Sequence, residues 1–242
     1  MKNTILLSCF TLFALISVAQ DRDARVINDK NAQKRNVQGF HGIEISSGVD
    51  LYLSQGSEEA VAVSASDDES RDRIVTEVSG GVLHIYVENR VWHWSDWNHR
   101  HLKAYVSVRQ IDQLTAHGGS DVFIQDVIHA DNLKMHLSGG SDLRGKLNIG
   151  DLDVTQSGGS DAYVSGTART LYVHTSGGSD YHGYDLAADN CEVEASGGSD
   201  IYLTVNKELK ARAHGGSDVH YKGNGSLRET STGGSGSVSR RD

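Results

Sequence analysis

The sequence predicts an all-β fold: a right-handed parallel β-helix with rungs of about 19 residues, preceded by an N-terminal cap section of β-strands. Three observations carry this. The tetrapeptide Gly-Gly-Ser-Asp begins at Gly118, Gly139, Gly158, Gly177, Gly197 and Gly215. A degenerate Gly-Gly-Ser-Gly begins at Gly233, so the steps are 21, 19, 19, 20, 18 and 18 residues. Between copies, alternate positions are apolar, the period of a strand with one buried face. The 242 residues hold 27 Gly and no Pro, with only 7% aromatic residues. That composition suits many tight turns and a thin core rather than a multilayer one.

The chain opens with Lys2, an apolar run from Ile5 to Val18, and Ser17-Val18-Ala19. These are a basic region, a hydrophobic region and a small-x-small cleavage site, so residues 1–20 read as a signal peptide. The run is short for a membrane span, and Asp21, Arg22 and Asp23 follow it at once. A lipobox reading of Leu6-Leu7-Ser8-Cys9 is weaker, because few residues precede Cys9 and the apolar run continues past it. Loss of Lys2 takes the net charge from −9 to one unit lower. The mature chain then holds one thiol, Cys191, and no internal disulfide. Cys191 stands where most repeats have Leu, so it is expected to be buried.

Residues 21–38 are charged and aperiodic and read as a flexible tail. Residues 39–113 read as longer strands: Gly42 to Ser54, Ala60 to Ala65, Ile74 to Val78, Val82 to Val87 and Leu102 to Val108. They are expected to form an antiparallel or mixed section that caps the first solenoid edge. Within them, Ser46-Ser47-Gly48-Val49-Asp50 is an early relative of the repeated turn.

Residues 114–242 are the repeats. Six positions before the Gly pair stand Leu133, Leu152, Leu171, Cys191, Leu209 and Leu227, and just after the Asp stand Val122, Leu143, Ala162, Tyr181, Ile201 and Val219. A unit this short cannot bury its own apolar face, so units must stack. Seven regular rungs would rise roughly 29 Å at the inter-strand spacing. The last copy loses its Asp and turns polar, as a terminal rung must to blunt an open edge.

These segments resemble one family. Phe40-His41-Gly42-Ile43-Glu44-Ile45 leads into Gly48-Val49-Asp50-Leu51-Tyr52-Leu53-Ser54-Gln55-Gly56, then Gly81-Val82-Leu83-His84-Ile85, then the Ser-Gly-Gly-Ser-Asp rungs. The sequence is similar, over about residues 36 to 240, to the head GIN domain family of auto-transporter adhesins, exported proteins of Bacteroidetes-type bacteria. The resemblance implies a β-helical fold and an exported location: periplasmic, outer-membrane-associated or extracellular. No catalytic residue carries over from it.

Two columns follow from the repeat. The first is Asp121, Asp142, Asp161, Asp180, Asp200 and Asp218, continued by Asp50. Neighbouring carboxylates at strand spacing repel by roughly 0.9 kcal/mol even in bulk water. Hydrogen bonds from turn groups are the favoured compensation, and a calcium row involving Asp142, Asp161, Asp180 and Asp200 is the alternative. Calcium-binding nonapeptide repeats need a further Gly and a nine-residue period, and both are missing. The second column lies two residues on: Tyr52, Phe123, Arg144, Tyr163, His182, Tyr202 and His220. Period two points it outward. It reads either as a glycan platform with Phe123, Tyr163 and Tyr202 as contacts, or as a ladder that stabilises the strands.

The segment Trp92-His93-Trp94-Ser95-Asp96-Trp97-Asn98-His99-Arg100-His101 holds all three Trp residues. Trp92, Trp94 and Trp97 are candidate ligand contacts. His99 and His101 alternate onto one side and are the weaker, metal-binding candidates.

The acidic balance argues against nucleic acid, which needs a basic face. Enzyme chemistry is poorly supported, because a catalytic site is a unique constellation and the acidic residues here recur in every rung. No cofactor is expected. The sequence therefore reads as an exported, non-enzymatic, adhesin-like protein of the cell envelope that binds a glycan or a cell-surface protein, with no membrane span in the mature chain. A polysaccharide-active enzyme and a purely structural envelope module are the alternatives.

Overall fold

The structure is a computed structural model that describes residues 29–88 and 101–241. The signal segment lies outside the described residues, as do residues 21–28 of the stretch read as a tail, whereas residues 29–38 are described. The described residues form sixteen strands and one short helix, α1 (Asp68–Asp72). The strands build a β-solenoid of about seven turns.

The regular rungs are long bent strands: β9 (Val122–Ser138), β10 (Leu143–Ser157), β11 (Ala162–Thr175), β12 (Tyr181–Gly197) and β13 (Asp200–Gly215). Each pairs in parallel with the next. The register keeps repeat positions aligned: Leu143 opposes Ala162, and Leu152 opposes Leu171. Alternation then sends one set of side chains inward. In β10 these are Leu143, Leu147, Ile149, Leu152 and Val154, all buried. Each such side chain stabilises the fold by about 1.5–3 kcal/mol, and only stacking removes it from water.

The N-terminal strands are β1 (Gln33–Arg35), β2 (Gly42–Ile45), β3 (Asp50–Gln55), β4 (Ala60–Ser64), β5 (Ile74–Ser79), β6 (Val82–Val87), β7 (Lys103–Val108) and β8 (Gln113–Ala116). The run from Gly42 to Ser54, read as one strand, is two. Ser47 (φ 66°) and Gly48 (φ 69°) bend the chain between β2 and β3. β2 pairs in parallel with β8, and β3 with β9. On their other sides β2 pairs with β6 and β3 with β7, again in parallel. Rung geometry therefore extends to the N-terminal side of Leu114.

Beyond these rungs the pairing becomes antiparallel: β4 on β7, β1 on β4, and β5 on β6. Helix α1 connects β4 to β5. Asp67 caps it, accepting the Ser70 N–H at 2.8 Å, with Asp68 and Glu69 in the first turn. These are favourable residues at a helix N-terminus. Arg35 and Arg71 tie the region together, donating to Arg71 O and to Asn31 O.

At the other end stand β14 (Asp218–Lys222), β15 (Ser226–Gly234) and β16 (Ser237–Arg240). β15 pairs with β13 alone, and β16 with β14 alone. Where β13 buries Ala211 and Ala213, their partners in β15 are Thr230 and Thr232. That substitution leaves a polar final edge. Among the described residues no helix is long and apolar enough to cross a membrane.

Candidate functional site

The repeated turns stack into one ridge, and its geometry follows from three residue types. Glycine comes first. At Gly158 and Gly159 φ is 72° and 82°, a region side chains rarely enter. A Cβ on Gly158 would sit 3.2 Å from the Gly139 backbone nitrogen of the rung before.

Serine comes second. Ser120, Ser141, Ser160, Ser179, Ser199 and Ser217 are fully buried. The Ser120 N–H donates to Ser141 Oγ at 3.1 Å, Ser141 to Ser160 Oγ at 3.3 Å, and Ser160 to Ser179 Oγ at 3.1 Å. A hydroxyl is small enough to sit inside the turn and accept that donor. Hydroxyls also donate within their own turns: Ser160 Oγ to Ser157 O at 3.1 Å, and Ser199 Oγ and Ser217 Oγ to Ser196 O and His214 O at 2.9 Å.

Aspartate comes third, and its bonds run the opposite way along the solenoid. The Asp142 N–H donates to Asp121 Oδ1 at 3.1 Å, Asp161 to Asp142 at 3.2 Å, Asp180 to Asp161 at 3.1 Å, Asp200 to Asp180 at 2.9 Å and Asp218 to Asp200 at 3.0 Å. Asp50 begins the series with a 3.5 Å contact from the Asp121 N–H, and Ser237 Oγ ends it, 2.6 Å from Asp218. Each carboxylate from Asp50 to Asp200 thus receives a backbone N–H, and Asp218 a hydroxyl, which offsets repulsion between neighbours. Two members still carry raised pKa values. Burial raises Asp50 and Asp142 first, and adjacent Asp charges add to it.

The aromatic column stands beside the Asp column. Tyr52 and Phe123 stack with ring centroids 5.2 Å apart, Tyr163 and His182 at 4.4 Å, and His182 and Tyr202 at 5.2 Å. The Arg144 guanidinium fills the missing rung, 5.1 Å from the Tyr163 ring centre. Tyr202 and His220 continue the column at 5.1 Å, and Tyr202 also donates its hydroxyl to Asp200 Oδ2 at 3.2 Å. Phe123, Tyr163 and Tyr202 therefore share one line. Within it the ring faces meet each other, while ring edges, hydroxyls and the free Asp oxygens border solvent. Tyr163 is the most open ring of the three, at 38% exposure.

Tyr105 extends this column and was not read from the sequence. It stacks on Tyr52 at 5.2 Å and donates to Asp29 Oδ2 at 2.9 Å. The available signal was Lys103-Ala104-Tyr105, which copies the alternation of Asp50-Leu51-Tyr52.

Trp92, Trp94, Trp97 and His99 lie outside the described residues. His101 lies within them, exposed and with φ 40°. Among the described residues no group of three or more His, Cys, Asp or Glu is arranged to hold a metal ion. A second cluster, also unread in the sequence, joins Glu44, His84 and His117. Glu44 Oε2 is 3.3 Å from His84 Nδ1, and Glu44 Oε1 is 3.3 Å from His117 Nε2.

The family described as "Putative auto-transporter adhesin, head GIN domain" matches residues 39–225. A similar solved structure is that of a protein described as a putative adhesin from Bacteroides fragilis. It is 20% identical with a TM-score of 0.81, covering 87% of this chain and 96% of that one. A protein described as a putative lipid binding protein from Parabacteroides distasonis is 19% identical with a TM-score of 0.67, over 88% and 98% of the two chains. A putative adhesin from Parabacteroides merdae is 17% identical with a TM-score of 0.66, over 87% and 95%. At these identities the likeness shows a shared fold. No curated protein matches the sequence.

Proposed function

Because the chain belongs to the head GIN domain family of auto-transporter adhesins, we propose that it is an exported, non-enzymatic adhesin-type solenoid that binds a glycan along the ridge of stacked turns. The observation that carries this reading is the pairing of two continuous columns. One presents a carboxylate in each rung, and the other presents a ring edge or, at Arg144, a guanidinium, with tyrosine hydroxyls at Tyr52, Tyr163 and Tyr202. A linear polymer of hydroxyl-bearing rings matches such a surface, because each repeat offers acceptors for sugar hydroxyls and apolar edges for sugar C–H groups. The ring faces are already stacked on one another, so a sugar would meet edges rather than lie flat on a face.

Periodicity also supports a binding role over a catalytic one. The carboxylates from Asp50 to Asp200 accept a backbone N–H in rung after rung, a periodic pattern rather than a unique constellation. Exported location follows the family reading, and the apolar segment at Ile5 to Val18 supports it.

The test is a glycan array and a turnover screen on the mature protein, with Tyr163→Ala plus Tyr202→Ala as the variant. The expected result is binding without turnover, weakened in the variant by about 1 kcal/mol or more per ring. Binding retained in full by a folded variant would remove the ridge from the proposal, and capture of a cell-surface protein alone would replace the glycan. The stacking itself favours one second reading, a structural envelope module. A variant that loses stability, from a parent that binds no glycan, would select it.

A further inference from the structure

Apart from the ridge, a polar recess of about 310 Å³ lies on the face formed by β5, β6 and β2. Glu44, Ser46, Ser47, Glu77, His84 and Tyr86 line it, together with Ile85. The strand pairing builds it. His84 of β6 stands opposite Glu44 of β2 on one side and Glu77 of β5 on the other. The row Glu77, His84, Glu44 therefore crosses three adjacent strands. Tyr86 donates its hydroxyl to Glu77 Oε1 at 3.1 Å, which fixes both side chains. Glu44 meets only imidazoles, at 3.3 Å on each oxygen. Among the described residues no Lys or Arg forms an ion pair with Glu44 or Glu77, and none lines the recess.

We propose that this recess is a binding site for a primary ammonium carried on a sugar ring, that is, an amino sugar with a free amine. Two carboxylates in a concavity with no Lys or Arg among its described lining residues focus a negative potential, and an ammonium supplies three donors to match them. Bare ammonium would leave most of the space empty, since the recess lies at the lower end of the size range of small-ligand sites. The serine hydroxyls, the His84 imidazole and the Tyr86 phenol then serve the ring hydroxyls. A carboxylated or phosphorylated sugar meets both carboxylates and no Lys or Arg among the described lining residues. This site rests on the glycan reading above and names the kind of unit that glycan contains.

The experiment titrates the mature protein with glucosamine, N-acetylglucosamine and glucose, followed by ligand-observed NMR and calorimetry. Glucosamine is expected to bind, and the two uncharged sugars are not. Glu77→Gln, an exposed position on an edge strand, should weaken glucosamine by at least about tenfold, the loss of one charge-assisted hydrogen bond. Glu44→Gln should do the same, with folding checked by circular dichroism. Equal binding of N-acetylglucosamine, no binding of glucosamine, or full retention in a folded Glu77→Gln protein would overturn the proposal. Tyr172→Ala, an exposed position in neither the ridge nor the recess, is expected to leave glucosamine binding unchanged. Failure here with polymer binding intact on the ridge would reject this site alone.

Discussion

The carboxylate of Asp142 accepts the backbone N–H of Asp161, one rung further along the chain, at 3.2 Å. That bond gives the Asp column a structural reason that does not depend on any cation. It predicts that Asp142→Asn, which keeps an acceptor oxygen and removes a charge between Asp121 and Asp161, leaves stability equal or higher near neutral pH. Asp142→Ala strands the Asp161 N–H and should cost about 1–3 kcal/mol. Urea unfolding of the two variants decides this, and equal destabilisation of both would contradict the account.

Acid should act in opposite directions on the ridge and on the N-terminal strands. Asp50 and Asp142 have folded pKa values above the ordinary 3.8, burial being the largest cause. Their contribution is fully present below that ordinary value and lost as pH rises through the folded one. Glu59 is the reverse case. Burial alone would raise it, but the Gly39 N–H at 2.6 Å and the Arg109 guanidinium at 2.8 Å outweigh burial and hold it below 4.5. Its contribution is present above 4.5 and lost as pH falls through the depressed value. Amide exchange on acidification should therefore loosen the strands around Gly39 and Arg109 before the turns at Asp142. The opposite order would show that other groups govern acid stability.

Identical Gly-Gly letters should tolerate substitution differently. Gly158 has φ 72° and a close backbone neighbour, whereas Gly178 lies outside the left-handed region with nothing within 4 Å of a Cβ. Gly158→Ala should cost at least about 1 kcal/mol. Gly178→Ala should be neutral or stabilising by up to about 1 kcal/mol, because it restricts the unfolded chain. Thermal melts of the pair test this, and similar losses at both sites would refute it.

One buried polar atom of the core is costly enough that its removal should help. Tyr181 is wholly buried and its hydroxyl has no hydrogen-bond partner. Gly183 makes room for it, since a Cβ there would run into the Tyr181 ring. Tyr181→Phe should be neutral or stabilising by about 1–3 kcal/mol. Gly183→Ala should destabilise, and Tyr181→Val should relieve much of that loss in the double variant. Independent, additive effects in a double-mutant cycle would mean the two residues do not share one space.

Legibility in the sequence followed repetition. The Asp and Ser columns and Phe123, Tyr163 and Tyr202 could be aligned because each recurs at a constant offset from the Gly pair. Tyr105 could not, since its strand belongs to no regular copy and its place beside Tyr52 depends on pairing across fifty residues of chain. The Glu44, His84 and His117 cluster was hidden for the same reason, each residue coming from a different strand or turn. Helix α1 is too short for a periodic signal, although Asp67 at its start is an ordinary capping residue. The change of turn between Gly159 and Gly178 was illegible because the same letters adopt both forms. The Trp segment lies outside the described residues, so its candidates stand as sequence readings.

The final edge, where β15 and β16 each have a neighbour on one side only, determines how the molecule would answer a mechanical pull. Tension applied through the C-terminus loads those strands first, and peeling them exposes β13 and β14 as an edge of the same kind. Each detachment thus recreates the situation before it. Extension should proceed as a staircase, one rung of 18 to 21 residues at a time, with work dissipated at every tread instead of in one break. Single-molecule stretching would show repeated small steps, and a lone rupture releasing the whole solenoid would rule this behaviour out.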